Sequence, residues 1–552
     1  MFLCLLNNLF ACANMLLGAS AAISALSGIH TIAATFLLPL GVVLYTFVGG
    51  IKATFLTDYI HTFIILIILC FFTVRAFTVP EIGSIGGLYE LVRDAAIRHP
   101  PVDNHAATYL TMTSKPGLMF GILHMCANFG LVIMDTSFFV KAFAASPKAA
   151  VPGYVIGGLL YFAIPWCLGT LMSSITLGLE NNPIFPTYPR RMNSQEIGNG
   201  LVLPYAAMAI AGKGGAAAVL LITFMAVTST LSAQVIAVSS IISFDMYRTY
   251  ANKNATDKDV IRWSHYGVII FGVVAAAFST LLYYVGVDLG WTLYMLGVVT
   301  CPGIFPTVFT ILWRKQSKAA VIISPILGML TGIGVWLGSA HGLYGEVTIA
   351  TTGMALPCVY GTVASAFSPL PYTLLITLFK PQDFDWALFR NEKLAFKSES
   401  LENVLEATHA HRDADGHEQL TWEDDEDVTD VRDPRYLPFV KKWARIAAIW
   451  SVATFLGHWV LWPLPMYASK YVFGKGFFVA WMVVAIIWLW LCMLVAGFYP
   501  LWDGRKDLLQ IWRALMGKKT EDKTVTSSET SSNSDAVVTE KGASTKEREA
   551  EI

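Results

Sequence analysis

Residues 117–140, GLMFGILHMCANFGLVIMDTSFFV, hold three side chains able to do chemistry in an otherwise apolar run: His124, Asn128 and Asp135. An imidazole and a carboxylate can pass a proton, and a primary amide can both donate to and accept from a neutral polar solute. At about 100° per residue, with His124 at zero, Asn128 falls near 40° and Asp135 near 20°. The pattern predicts one polar face over three helical turns. Such groups are costly in a bilayer and tend to be functional there. Two uses stay open: hydrogen bonds to neighbouring helices, or the wall of a polar cavity in which Asp135 and His124 relay protons.

The span 215–243 has a different chemistry. Its segment FMAVTSTLSAQVIAVSS is dense in Ser, Thr and Ala. Measured from Ala226, Thr230 lies near 40°, Ser229 near −60°, Ala233 near −20° and Ala237 near 20°. That is a stripe of small residues with two hydroxyls at its centre. Close helix packing explains most of it. A hard monovalent cation would also find oxygen ligands there, from hydroxyls and freed carbonyls. Pro302, Gly303 and Pro306 interrupt 289–313, and Pro165 interrupts 151–175. Broken helices beside buried polar groups mark secondary transporters. Gly49-Gly50 followed by Thr57-Asp58 reads as a short turn with one acid at the membrane boundary. No HExxH, GxSxG, phosphate-loop or CxxC pattern is present, and GKGG at 212–215 reads as a turn.

These elements sit in a chain of 552 residues, 55% hydrophobic and 14% charged with net charge −1, so a polytopic, all-α membrane protein is expected and a nucleic-acid partner is not. Spanning segments fall near 2–26, 31–48, 57–79, 117–140, 151–175, 215–243, 263–284, 289–313, 319–339, 355–379, 443–462 and 476–499, about twelve in all. The loops with Lys141 and Lys148, with Arg248, Lys253, Lys258 and Arg262, and with Arg314, Lys315 and Lys318 alternate with links poorer in basic residues. The basic set is therefore expected in the cytosol, with both termini. The eight cysteines lie in apolar segments and read as packing residues, and MFLCLLNNLF lacks the basic start of a signal peptide. Residues 381–440 read as an acidic cytosolic loop, with twelve acids and three arginines in 401–435. An EF-hand there fails, because Gly416 at loop position 6 puts His411 and Trp422 at positions 1 and 12. Residues 441–500 hold two further spans, and 501–552 read as a largely disordered cytosolic tail.

LPLGVVLYTFVGGIKATFLTDYIHT resembles a signature of the sodium:solute symporter family. FMAVTSTLSAQVIAVSSIISFDMYRTY is similar to that family's ion-binding helix and its exit. LLNNLFACANMLLGASAAISALSG and HMCANFGLVIMDTSFFVKAFAASPKAAVPGYVIGG narrow the resemblance to fungal urea active transporters, over roughly residues 2–380. The resemblance implies a LeuT-like fold of five-plus-five inverted repeats, with substrate near the midplane. It implies cation-coupled uptake of urea, or of polyamines, with Na⁺ or H⁺ as coupling ion and no further cofactor, at the plasma membrane. The ion ligands it implies are Ala226, Ser229 and Thr230. Asn128 aligns with a substrate asparagine of sugar-transporting relatives, and Tyr161 with a substrate lysine, a change consistent with a small neutral solute. Asp135 joins them as a third substrate candidate. The span 2–26 matches the third core helix, so a shortened chain that transports poorly is expected. A non-transporting membrane sensor or scaffold, working through the acidic loop, is the alternative. Oligomeric state is left open.

Overall fold

A computed structural model of the chain describes residues 1–145, 147–385, 437–505 and 509. The acidic segment 386–436 and the tail beyond 509 lie outside the described residues, so the expectations for them are not addressed by the structure. The chain divides into two units, Met1–Tyr499 and Pro500–Ile552. In the second unit Arg505 donates to the Trp502 carbonyl and lies over its ring. All that follows concerns the first.

Its elements are helices in chain order: α1 (Phe2–Ser27), α2 (Thr31–Thr78), α3 (Ile85–Arg98), α4 (Lys115–Met134), α5 (Thr136–Ala144), α6 (Pro147–Tyr161), α7 (Ala163–Leu179), α8 (Ser194–Gly198), α9 (Val202–Ser240), α10 (Asp257–Val285), α11 (Leu289–Thr300), α12 (Ile304–Leu312), α13 (Lys318–Tyr344), α14 (Ile349–Thr352), α15 (Ala355–Phe367), α16 (Pro369–Phe379), α17 (Leu437–Phe455), α18 (Pro463–Ala468) and α19 (Lys475–Cys492). Their limits follow from local chemistry. Ser114, Ser317 and the Thr256–Asp259 box cap the starts of α4, α13 and α10, while Gly28, Gly286 and Gly345 end α1, α10 and α13 in the left-handed region.

Eleven helices among the described residues are long and apolar enough to cross a bilayer. One of them, α2, has 48 residues, about 72 Å at 1.5 Å per residue and more than twice a hydrocarbon core. It breaks at Gly50, whose φ of 54° and ψ of −150° suit only glycine, so α2 has the length for two crossings and the described residues offer twelve. The other breaks fall where the prolines put them. Cys301–Gly303 separates α11 from α12, and Phe162, three residues before Pro165, separates α6 from α7. Large apolar side chains such as Leu37, Leu44 and Val48 point outward, as a lipid-facing surface requires.

Four apolar clusters hold the described helices together, the smallest around Cys126, Cys301 and Ala366. Leu66, Leu69 and Phe72 of α2 pack with Leu171 and Ile175 of α7 and Met482 and Leu489 of α19. Leu16 of α1, Val42 of α2, Leu231 and Val235 of α9 and Phe271 of α10 form the second. Leu123 of α4, Val298 of α11, Trp336 of α13 and Cys358 of α15 form the third. The first half of α9 also enters the first cluster through Ala206, Ile210 and Val219, so α9 is a wall shared between two cores. The eight cysteines are free, and seven are buried.

Candidate functional site

The expected continuous helix over 117–140 does not form. α4 stops at Met134, and Asp135, with φ −83° and ψ 101°, is at once its C-cap and the N-cap of α5. Asp135 Oδ1 accepts the Ser137 backbone N–H at 2.8 Å, and Oδ2 accepts from Gln234 Nε2 at 2.6 Å. The side chain is 4% exposed. A buried carboxylate is tolerable because both oxygens are occupied. Gln234 is buried too, and its Oε1 has no donor among the described residues. The joint is held from a third side by Asn8 of α1, whose Nδ2 donates to Thr136 Oγ1 at 3.2 Å.

The break takes Asp135 off the face that the helical projection gave it. Asn128 remains on α4, exposed and without a hydrogen-bond partner among the described residues. His124 stacks on Phe120, with 3.9 Å between ring centroids, and its Nδ1 meets the Phe120 carbonyl at 3.1 Å. Its Nε2 is buried and unpartnered among the described residues. Tyr161, at the end of α6, is 76% exposed. Asn128 and Tyr161 are thus exposed, whereas Asp135 is enclosed.

On α9, Thr230 Oγ1 donates to the Ala226 carbonyl at 3.1 Å, which leaves the hydroxyl lone pairs free. Both residues are exposed. Ser229 donates its hydroxyl to Asp58 Oδ1. That bond aims the Ser229 lone pairs away from the carboxylate, the arrangement a cation-ligating hydroxyl needs. Asp58 is therefore more than a turn residue. It lies inside α2, eight residues past the Gly50 break, about 12 Å along the helix. Its Oδ2 pairs with the ammonium of Lys141 on α5, which also lies 5.9 Å from the Phe55 ring centre. Tyr45 of α2 donates to the Thr228 carbonyl at 3.0 Å, a second tie between α2 and the same turn of α9.

In the sequence Asp58 reads as a turn residue and Lys141 as a loop base, whereas both lie in helices, and Gln234 and Asn8 are given no role. A signal existed for each: a lone charge or amide inside an apolar run must find a partner. A cavity of about 910 Å³ lies elsewhere, lined by Gly117 and Gly121 of α4, Trp166 of α7, Trp462, Tyr467 and Trp481 among others. None of the candidate ion or solute residues lines it. Its lining is largely aromatic, with Thr111, Ser114, His458 and Tyr467 among its polar groups.

The sodium:solute symporter family matches residues 1–332. A probable urea active transporter of Schizosaccharomyces pombe is 41% identical over 523 residues, 94% of this chain and 74% of that protein. A urea active transporter of Saccharomyces cerevisiae is 38% identical over 93% of this chain and 75% of its own length. A urea-proton symporter of Oryza sativa subsp. japonica is 33% identical over 88% of this chain and 64% of its own length. The solved outward-open structure of a Na⁺-coupled sialic acid symporter superposes with a TM-score of 0.51 at 16% identity, over 69% of this chain and 75% of that one, a likeness of fold. With the helix breaks, the shared fold and a match along three fifths of its length, the chain belongs to the sodium:solute symporter family.

Proposed function

We propose that this chain imports urea, or a solute as small and neutral, across the plasma membrane by symport with Na⁺ or H⁺. The observation that carries the reading is similarity over nearly the whole chain to proteins named urea active transporters. The geometry is consistent with it. Urea carries N–H donors on both sides of one carbonyl acceptor, and the free amide of Asn128 offers one acceptor and two donors. The Tyr161 hydroxyl supplies either role. Ser229, Thr230 and the Ala226 carbonyl form one wall for a hard cation, and Asp135 and His124, each at its own place beside the α4 break, are the candidate proton carriers. Binding the cation favours the state that accepts solute, so the downhill ion loads the uphill one. Lys141, the loop at 248–262 and the Arg314–Lys318 link, together with both termini, face the cytosol by the distribution of basic residues.

Radiolabelled urea uptake in cells lacking their own transporter tests the reading. Accumulation above equilibrium that collapses with a protonophore assigns H⁺, and accumulation that requires external Na⁺ assigns Na⁺. Uptake that never exceeds equilibrium under either gradient rejects symport.

A further inference from the structure

A second cavity, of about 380 Å³, differs in kind from the aromatic one. The helix α7 lines it with Gly169, Thr170, Ser173 and Ser174, and Tyr109 enters from the segment before α4. Tyr109 precedes α4 and Lys141 follows it on α5, so the cavity lies on the membrane face opposite Lys141. Three of its hydroxyls give their protons to backbone. Thr170 donates to the Trp166 carbonyl at 2.7 Å, Ser173 to the Gly169 carbonyl, and Tyr109 to the His99 carbonyl at 3.1 Å. A hydroxyl that donates backward presents only lone pairs forward. Ser174 is the exception, since its hydroxyl makes no hydrogen bond among the described residues and keeps a proton to donate. Tyr161, Pro165, Gly169 and Ser173 are exposed at four-residue steps, a stripe that winds about 40° per step and joins the solute candidate Tyr161 to the cavity over about 18 Å. Pro165 has no N–H for the Tyr161 carbonyl four residues back, which adds an acceptor at the far end. A Cβ added at Gly169 would meet nothing within 4 Å, so the stripe faces open space.

We propose that this cavity is an outer subsite for small neutral solutes rich in N–H donors, with urea as its ligand. The lone pairs of Thr170 and Ser173 take N–H groups of the solute, and the free Ser174 hydroxyl donates to its carbonyl. Urea, with N–H donors on both sides of one acceptor, matches that pattern. An anion would meet mostly lone pairs, and a fully N-methylated urea would have nothing to give them. The subsite rests on the symport reading for the name of its solute, and it adds a place where that solute stands before Tyr161.

The deciding test reads occupancy rather than transport. Ser173→Cys places a near-isosteric thiol on the stripe, and the parent chain gives the background from the native cysteines, seven of which are buried. A membrane-impermeant thiol reagent is applied outside intact cells, with rising urea or with tetramethylurea, which keeps the carbonyl and has no N–H. At ten times its half-protecting concentration, urea is expected to slow labelling about tenfold, and tetramethylurea is expected to leave it unchanged. Where the parent takes up urea, Thr170→Val with Ser173→Ala is expected to raise KM about tenfold through two lost hydrogen bonds, with Vmax nearly kept. Gly169→Leu, which fills the open space, is expected to raise KM as well. Labelling that urea does not slow overturns the subsite, and so does equal protection by tetramethylurea. A thiol that the reagent never reaches in a surface-expressed chain overturns it too, because the space is then filled. An unmoved KM in the double variant does the same. The parent's own uptake decides the symport reading separately: protection by urea in a chain that accumulates none supports the subsite and removes the symport.

Discussion

Replacing Asp135 with Asn removes an exchangeable proton while sparing most of the structure. Asn caps a helix as well as Asp does, so its Oδ1 continues to accept the Ser137 N–H, at 2.8 Å in the native joint. The other oxygen becomes an NH₂ facing the Gln234 NH₂, now at 2.6 Å from Oδ2. Two donors cannot share that contact. Gln234 has a remedy, because its Oε1 is buried without a donor. Turning the amide over presents Oε1 to the new NH₂, and Nε2 replaces it as the unpaired buried atom, so no new orphan is added. The net loss is the difference between a charge-assisted and a neutral hydrogen bond, about 1 kcal/mol. Asp135→Leu has no such escape. It forfeits the cap, about 1 kcal/mol, and strands the Gln234 donor, about 1–3 kcal/mol more.

Surface level and uptake rate against external pH therefore read two different things. Asp135→Asn is expected at near-native surface level with uptake that no longer varies with pH, while Asp135→Leu is expected to be depleted from the membrane. A native pH profile in a well-expressed Asp135→Asn chain would refute the proton route through this residue. Depletion of Asp135→Asn to the level of Asp135→Leu would refute the amide turn on which the magnitude rests.

If Na⁺ is the coupling ion, Ser229→Ala with Thr230→Ala is expected to raise the Na⁺ concentration for half-maximal uptake at least tenfold at near-normal surface level, measured by radiolabelled uptake across a Na⁺ series; an unmoved value would make the stripe packing alone. Gly130→Ala would bring a Cβ within 2.8 Å of the Cys301 nitrogen and the Thr300 carbonyl carbon, backbone that cannot swing aside. A loss of about 1–3 kcal/mol is expected, seen as a lower midpoint in detergent thermal unfolding. Outside the membrane, both Arg190 guanidinium donors grip Glu196, at 2.6 and 2.7 Å, and with the Asn193 backbone N–H they hold its carboxyl below the usual carboxylate range. A depressed folded value gives stability that is present above the unfolded value, about 4.3, and is lost as pH falls through the lower one. Hydrogen exchange around α8 should accelerate on acidification below about pH 4, and Arg190→Ala should show the fast exchange already at neutral pH.

Much of this architecture was legible because a bilayer makes sequence explicit. Apolar runs give the crossings, including the two that α2 joins, and prolines mark the breaks after Thr300 and at Phe162. The failure on 117–140 has a physical cause. A helical projection assumes a continuous helix, and Asp-Thr-Ser at 135–137 is the kind of short polar run that caps one instead. Read as an N-cap, Asp135 would have been expected at a joint rather than on a stripe with His124 and Asn128. The hydroxyls of α9 were found, but not what orients Ser229, since its partner Asp58 lies 171 residues away.

Asp58 shows how more could have been read. Locally it resembled a turn residue, and local chemistry offered no reason to think otherwise. Energetics did offer one. A carboxylate several residues inside an apolar run needs a partner, and the choice of partners is short when charged residues make up only 14% of the chain. Charges inside the runs are few: Asp58, Arg75, Asp135 and Arg445. Arg75 satisfies itself on the Ile210 carbonyl at 2.9 Å, close to the Gly212 kink that loosens α9. Asp135 can be satisfied by a backbone N–H because it caps a helix. Asp58 sits mid-helix, where backbone donors are already used, so it must take a side chain. Lys52, one turn and a half before it on the same helix, faces away at about 240°. Lys141, just past the run 117–140, is one of several bases at the run edges, and it is the one the fold brings to Asp58. Matching buried charges by what each can find locally thus flags Asp58 as needing a side-chain partner, and the structure supplies Lys141.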